Sequence, residues 1–379
     1  MSDERIVLCN CRLVTDEQSL KAEQLHPFVD IFIERGMITH IERTGTRAYT
    51  GYVVHQLAGL YASSGWIDMH VHAFAKHQPY GDEIDQIGIA QGVTTVVDAG
   101  SCGADQIAEL YDIGQTAQTR LLAFLNISRI GLQRVDELTN MAWMDEQLVA
   151  EACEQYGSFI VGLKARISKT VVGDSGIKPL EIARNLAVAC NKRLMVHIGS
   201  GPPAITEVLP LLAEGDIITH FLHGKVNNLF AASGEPIAEL LAAWQRGVML
   251  DVGHGSASFS FATAEVAKQH GIHPNTISSD IYRVNRLEGP VFSLAHVMSK
   301  FLYLGYQLEE VIAAVTTRAA AWLHRPELGR MQVGEAANIT LFAIEQGEVD
   351  FVDSGGEKRQ ANQLIVPKGV MINDKFFTC

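Results

Sequence analysis

Between about residues 61 and 325 the chain repeats one unit, a short apolar or β-branched run followed by a stretch whose apolar residues fall at helical spacing. This alternation is the sequence mark of parallel β-α units: a strand covered on both faces reads as a continuous apolar run, and its parallel neighbour needs a helical crossover. Candidate strands end near Met69, Asp98, Asn126, Lys164, His197, His220, Val252 and Asp280. Successive ends lie about 20 to 40 residues apart, enough for one strand, one helix and their loops. An α/β fold is expected, a (β/α)8 TIM barrel over residues 61–329. The connecting helices include PLEIARNLAVACNKR and EPIAELLAAWQRG, the second ending on a glycine suited to a C-cap. QLEEVIAAVTTRAAAWLH reads as one long amphipathic helix.

The two ends of the chain have a different period. Residues 1–60 contain RIVLCNCRLV, VDIFIERGMITHIE with a turn at Gly36, and YVVHQLAGLYA, all strand-like. From about residue 330 the strand period returns in GRMQVGEAANITLFAIEQG and QLIVPKGVMINDKFF. Residues 1–60 and 330–379 are therefore expected to build one small composite β-sandwich domain beside the barrel. A net charge of -13 argues against a nucleic-acid or anionic-membrane surface, which needs clustered Lys and Arg. The six cysteines are scattered without disulfide or zinc-ribbon spacing, and the acidic opening MSDERIVLCN shows no basic region followed by an apolar stretch. No apolar run approaches membrane-spanning length, so a cytoplasmic protein with reduced thiols is expected.

In a parallel barrel, reactive groups come from the carboxyl ends of strands. The first strand runs through GWIDMHVHAF, where His70 and His72 are two residues apart and share one face of an extended chain. Lys164 closes FIVGLKAR, His197 closes RLMVHIG, His220 lies in DIITHFLHG, and Asp280 closes TISSDIY. Each alone has a plain structural explanation: a hydrogen-bonded buried histidine, an ion-paired or phosphate-binding lysine, a helix cap. Six such residues ending apolar runs of one barrel are better explained as a ligand set.

The order His-x-His, Lys, His, His, Asp resembles the binuclear-metal branch of the amidohydrolase superfamily, to which dihydroorotases, hydantoinases and D-aminoacylases belong. The resemblance covers nearly the whole chain, including the terminal strands and the ELGRMQVGEAANITLF return, and within the branch it is closest to the amidohydrolase/deacetylase metallohydrolases. It implies two divalent ions, zinc expected and manganese or iron as alternatives. His70, His72 and Asp280 would hold one ion, His197 and His220 the other, and Lys164 would bridge them as a carbamate derived from CO2. An ammonium cannot ligate a cation, whereas a carbamate offers an anionic pair of oxygens. The implied reaction is hydrolysis of an amide or ester in a small N-acyl or O-acyl acid, by a hydroxide bridging the ions, with Asp280 moving the proton. The alternatives are a cyclic amidase of dihydroorotase or hydantoinase type, a non-catalytic barrel scaffold, and a deaminase, against which Lys164 counts.

Candidates for holding substrate are weaker. His254 follows strand seven in MLDVGHGSASF with a glycine on either side, His223 follows strand six, and Asn126 closes strand three. Arg166 and Arg283 could each pair with a carboxylate in the fork geometry that arginine favours, and Tyr282 could donate to a polarised oxygen. For each, a loop, surface or packing role competes. Cys102, in DAGSCGAD, has no base beside it in sequence and is set aside as a nucleophile. The expected partners are a small-molecule substrate and further copies of the chain in a homo-oligomer, with neither nucleic acid nor membrane.

Overall fold

A computed structural model describes residues 5–14, 28–57 and 59–379. Residues 1–4, with most of the acidic opening, lie outside the described residues. The amino-terminal strands are β1 (Arg5–Leu13), β2 (Val29–Glu34), β3 (Met37–Arg43), β4 (Val53–Gln56) and β5 (Tyr61–Ser64). Seven parallel strands follow: β6 (Trp66–Val71), β7 (Val93–Ala99), β8 (Arg120–Asn126), β9 (Ile160–Ile167), β10 (Arg193–Ile198), β11 (Ile217–Thr219) and β12 (Met249–Asp251). The chain ends with β13 (Asn338–Val352), β14 (Lys358–Ile372) and β15 (Lys375–Thr378).

Strands β6 to β12 pair in sequence order, as consecutive right-handed crossovers require. All residues of β6 and β7 are buried, which is why these strands read as unbroken apolar runs. Inside the barrel Ile67, Met69, Val97, Phe124 and Met195 form one cluster with Ala319, Ala320 and Trp322. The helix Thr317–Trp322 thus packs against the interior layer, and Trp322 Nε1 donates to the Gly215 carbonyl at 2.7 Å.

The eighth segment is expected as a strand and is instead an irregular ribbon. It closes the barrel through two parallel bridges, Asp251 with Thr276 and Val71 with Ile281. Side chains complete the closure. Thr276 and Ser278 hydroxyls donate to Asp251, and Ser279 donates through both its hydroxyl and its backbone N–H to Asp68. Polar anchoring of this kind replaces ladder bonds that the residues cannot make. The predicted long helix over 307–324 is likewise two helices, Leu308–Val315 and Thr317–Trp322. Thr316 breaks it at φ −132°, ψ −94°, where its hydroxyl bonds back to the Ile312 carbonyl at 2.6 Å.

The terminal strands form a second, mixed sheet in the order β15, β14, β13, β5, β1, β2, β3, with β4 also on β1. Its core gathers Ile6, Leu8, Ile31, Ile33, Leu341 and Met371 from both ends of the chain. Strand β5, at the expected start of the barrel, belongs to this sheet through β1 and β13. The barrel begins one residue past Gly65. A Cβ there would stand 2.1 Å from Thr94 Oγ1 and 2.3 Å from Asn338 Oδ1, so only glycine lets the chain pass from sheet to barrel. Among the described residues no helix is long and apolar enough to cross a membrane.

Candidate metal centre

The strand ends deliver all six predicted ligands to one cavity of about 220 Å³ at the carboxyl mouth of the barrel. His70 lies in β6 and His72 just beyond it, Lys164 in β9, His197 in β10, His220 directly after β11, and Asp280 in the closing segment. Asp280 Oδ1 stands 3.4 Å from His70 Nε2 and 3.2 Å from His72 Nε2. These three residues offer donor atoms all within 4.8 Å of one another. The His197 ring lies 4.4 Å from that of His220, which is 5.0 Å from that of His70. Lys164 Nζ is 3.4 Å from His70 Nε2, between the two groups.

Backbone and neighbours hold these side chains in place. Asp280 and His220 adopt the left-handed conformation, at φ 51° and 69°, which a non-glycine residue keeps only when its surroundings impose it. Asp280 is clamped by its N–H on the His70 carbonyl at 2.7 Å and by Asn285 Nδ2 on its own carbonyl at 2.9 Å.

The hydrogen bonds also assign tautomers. The Gly253 carbonyl, 2.6 Å from His220 Nδ1, can only accept, so the proton is on Nδ1 and the Nε2 lone pair is free. For His70, the Thr219 hydroxyl gives its proton to Asp251 at 2.7 Å and therefore accepts from His70 Nδ1 at 2.9 Å. Again Nε2 is left as a lone pair. His72 Nδ1 is held by Ser101 Oγ at 2.9 Å. His70 and His220 are thus fixed through Nδ1 and keep a lone pair on Nε2, the arrangement of metal-ligating imidazoles. Burial pushes the His70 and His197 rings well below the ordinary range and His220 to about 3, so all three are neutral donors. Burial alone would raise the Asp280 carboxyl, but the His72 hydrogen bond and the charges around it hold it below the usual range. Burial pushes the Lys164 amine down to about 7, with Asp280 and Asp251 offsetting only part of the effect. The donor set of four imidazoles, one carboxylate and one amine in reach of both halves fits divalent cations. We expect Thr219→Val, which leaves His70 Nδ1 without its acceptor, to weaken metal binding about 10- to 100-fold while the barrel stays folded. Competition with a chelator measures it.

The substrate candidates divide. Arg166 and Tyr282 line the cavity. Arg166 Nη1 is held by both oxygens of Glu137 at 3.1 and 3.2 Å, and the Tyr282 hydroxyl meets Ser256 Oγ at 2.8 Å. His254 does not reach the cavity. It is fully buried, its ring stacked 4.5 Å from Phe259, with Nδ1 on the Gly255 carbonyl and Nε2 accepting from Lys300 at 2.8 Å. The flanking glycines turn it inward, and Lys300, which also donates to the carbonyls of Pro290 and Val352, anchors the loop from beneath. His223 is also fully buried, its Nδ1 accepting from the Lys225 N–H at 3.1 Å. Asn126 is tied to Gly100 and Ser128 under the floor, and Arg283 is exposed on the helix Arg283–Leu287, away from the cavity lining. The cavity adds residues that sequence reading missed: Lys225, Ser168, Thr170, Ser200, Ser256 and Tyr80. GKVNN after strand six and GSAS after strand seven, polar loops opened by glycine, carry a sequence signal for Lys225 and Ser256; the other four have none of this kind.

The buried histidines make stability sensitive to acid. Burial holds His223 down at about 4 and His254 well below the ordinary value, so both stay neutral in the fold. The unfolded chain takes up their protons first, from about pH 6.5 downward, and each then costs about 1.4 kcal/mol per pH unit. The melting temperature of metal-free protein is expected to fall steadily from about pH 6.5 toward about pH 4; a flat profile would mean that these rings are charged in the fold.

Comparison with known proteins agrees with this geometry. A family model described as a deacetylase-like composite domain matches residues 331–377, within the terminal sheet. A protein from Enterococcus faecalis named deacetylase is 41% identical over 328 residues, covering 86% of this chain and 88% of that protein. A solved structure described as an adenine deaminase has a TM-score of 0.91 and 36% identity over 100% of both chains. Another, described as a dihydroorotase, has a TM-score of 0.89 and 30% identity over 99% of both. Alignments at these identities, spanning barrel and terminal sheet alike, carry more than a shared fold. The chain belongs to the deacetylase family within the amidohydrolase superfamily of metal-dependent hydrolases.

Proposed function

We propose that this protein hydrolyses an acyl amide or ester of a small molecule, acting as a deacetylase. The convergence of His70, His72, Lys164, His197, His220 and Asp280 on one cavity carries the reading. We assign His70, His72 and Asp280 to one divalent ion, His197 and His220 to a second, and Lys164, as a carbamate, to both. Zinc suits imidazole and carboxylate donors, with manganese or iron as substitutes. Divalent ions there would supply Lewis-acid polarisation of the scissile carbonyl and bring the pKa of water down to about 7.

The chain's own residues do the rest. Asp280 accepts the proton of the attacking water and returns it to the leaving nitrogen or oxygen, since both atoms lie on one tetrahedral carbon within reach of one carboxylate. Tyr282, oriented by Ser256, donates to the acyl group from the cavity wall. The six cysteines are free thiols, which supports a reducing compartment and hence the cytoplasm. Exposed edges of the terminal sheet would serve a homo-oligomer.

The dihydroorotase neighbour supports a second reading, ring opening of a cyclic amide. Metal-loaded protein should be screened against N-acyl amino acids, acylated hydroxy acids, cyclic ureides and adenine. Hydrolysis of the acylated compounds, with about two metal equivalents bound, is the expected result. Turnover confined to the cyclic ureides would establish the second reading, and turnover confined to adenine would reject both.

A further inference from the structure

A second cavity lies at the other end of the barrel. It measures about 410 Å³, against about 220 Å³ at the carboxyl mouth, and falls within the roughly 300–1,000 Å³ of small-molecule sites. Its wall includes Ile160, the first residue of β9, and Arg193, the first residue of β10. Lys164 and His197 stand four positions further along the same two strands, about 13 Å away at the rise of a β-strand. The two cavities therefore share strands but not space.

Among the described residues, Lys192, Arg193 and Arg325 line this cavity and no carboxylate does. Their hydrogen bonds go to the backbone: Lys192 Nζ donates to the carbonyls of Gly157, at 2.9 Å, and Ile160, Arg325 Nη2 to that of Ser158 at 2.9 Å, and Arg193 Nη1 to that of Trp322 at 3.3 Å. None of the three forms an ion pair among the described residues. Carbonyl dipoles orient such groups without cancelling their charge. Arg193 is also braced, its guanidinium carbon 5.7 Å from the centre of the Trp322 ring and its Nε 2.6 Å from where a Cβ on Gly215 would stand. Arg120, which opens β8, adds a fourth cation: partial desolvation lowers its pKa, the charge of Arg325 lowers it further, and Glu327 opposes both. Counting Glu327 against these four leaves three positive charges gathered at one end of a chain whose net charge is -13. Cations brought together in this way repel one another until an anion offsets them.

We propose that Lys192, Arg193 and Arg325 form a binding site for a chain of phosphates at the amino end of the barrel, with Arg120 adding charge from the neighbouring strand. The charge balance selects the ligand. A carboxylate brings one negative charge and a single phosphate about two, so a chain of phosphates is what matches three. Guanidinium forks suit phosphate oxygens, and Arg193 and Arg325 each spend only one nitrogen on the backbone, which leaves the other N–H groups of each fork for a ligand. Because carbonyls and the Trp322 ring already hold these side chains, little ordering remains to be done on binding. Inorganic tripolyphosphate and the phosphate chain of a nucleoside triphosphate share this chemistry. The site needs neither the metal ions nor the hydrolase reading, so it can fail while they stand.

Calorimetric titration and thermal shift of full-length, metal-loaded protein test the site, with tripolyphosphate, ATP, citrate and sulfate as probes at constant ionic strength. Metal content is measured after each titration, because phosphates also chelate. Tripolyphosphate should bind at least about tenfold tighter than sulfate and raise the melting temperature. Arg325→Gln should weaken that binding about 10- to 100-fold, the value of a charge-assisted hydrogen bond, and Arg325→Lys should restore part of it. Arg193→Gln should act in the same direction; if it fails to fold, the two Arg325 variants decide alone. ATP bound as tightly as tripolyphosphate assigns the site to nucleotides, and tripolyphosphate bound more tightly than ATP assigns it to the inorganic chain; both support it. Citrate bound as well as tripolyphosphate overturns the selection of phosphate, and sulfate bound as well means an adventitious ion only. Affinity undiminished in the Arg325→Gln and Arg193→Gln variants places the anion elsewhere, the metal centre included, and overturns the site.

Discussion

Replacing Asp280 with asparagine is expected to lower kcat by about 10²- to 10⁴-fold, the range contributed by one positioned general acid and base, while most of the bound metal is retained. The substitution keeps the shape and one oxygen facing His70 and His72, so the site can still gather its ions. It removes the proposed proton acceptor. The carboxyl is placed for both duties: Oδ1 faces the two Nε2 atoms, and 15% of the side chain is open to the cavity where a substrate would lie. Held below the usual carboxylate range, it is ionised at neutral pH and can take a proton from water. Kinetics and elemental analysis on the same preparation separate the outcomes. Unchanged turnover would remove Asp280 from proton transfer, and parallel loss of metal and activity would reduce it to a ligand.

Why six residues of one cavity could be read from sequence, and their surroundings could not, follows from the range of the forces involved. A buried parallel strand needs an unbroken apolar run, so a polar residue at its end stands out in a single line of text, as Lys164 does in FIVGLKAR and His197 in RLMVHIG. The resemblance then gave those positions roles. The groups that orient these side chains lack such a signal. Thr219 and Asp251 belong to different strands, and only the pairing of β11 with β12 makes them a relay to His70. His254 shows the opposite failure: glycines on both sides suggested a side chain projecting into the mouth, but the same freedom turns it down onto Lys300, 46 positions further along the chain. Likewise, period alone could not place β5 in the terminal sheet, because its partner β13 lies near the other end of the chain. Nor could it show that side-chain bonds to Asp68 and Asp251 would hold the closing segment in place of a ladder.

Lys164 gives the second large effect. Its side chain is buried, with Nζ on His70 Nε2 and on Met195 Sδ at 3.3 Å, and among the described residues Asp280, Asp251 and Asp98 act on it through charge without a hydrogen bond. An ammonium buried among imidazoles without a hydrogen-bonded counterion is the costliest form this group could take. Burial brings the amine to about 7, so a large share is neutral and nucleophilic at physiological pH. On the proposed reading the neutral nitrogen would add to the carbon of CO2 and release one proton to solvent, and the resulting carbamate would offer an anion to both halves of the site. Lys164→Ala should therefore bind about one metal equivalent or less and lose activity by more than about 100-fold, beyond the 10- to 100-fold typical of outer-shell changes. The stem packs closely on Gly100, where a Cβ would lie 2.7 Å from Lys164 Cβ and Cγ, so the alanine variant leaves a slot of side-chain width. Acetate or propionate added at high concentration should enter that slot, supply the missing carboxylate and restore part of both metal and activity. In the wild type, carbon-13 bicarbonate should give a carbamate resonance that Lys164→Ala lacks. Two tightly bound equivalents and full turnover in the alanine variant would instead make Lys164 a wall residue and leave His197 and His220 to hold the second ion without a bridge.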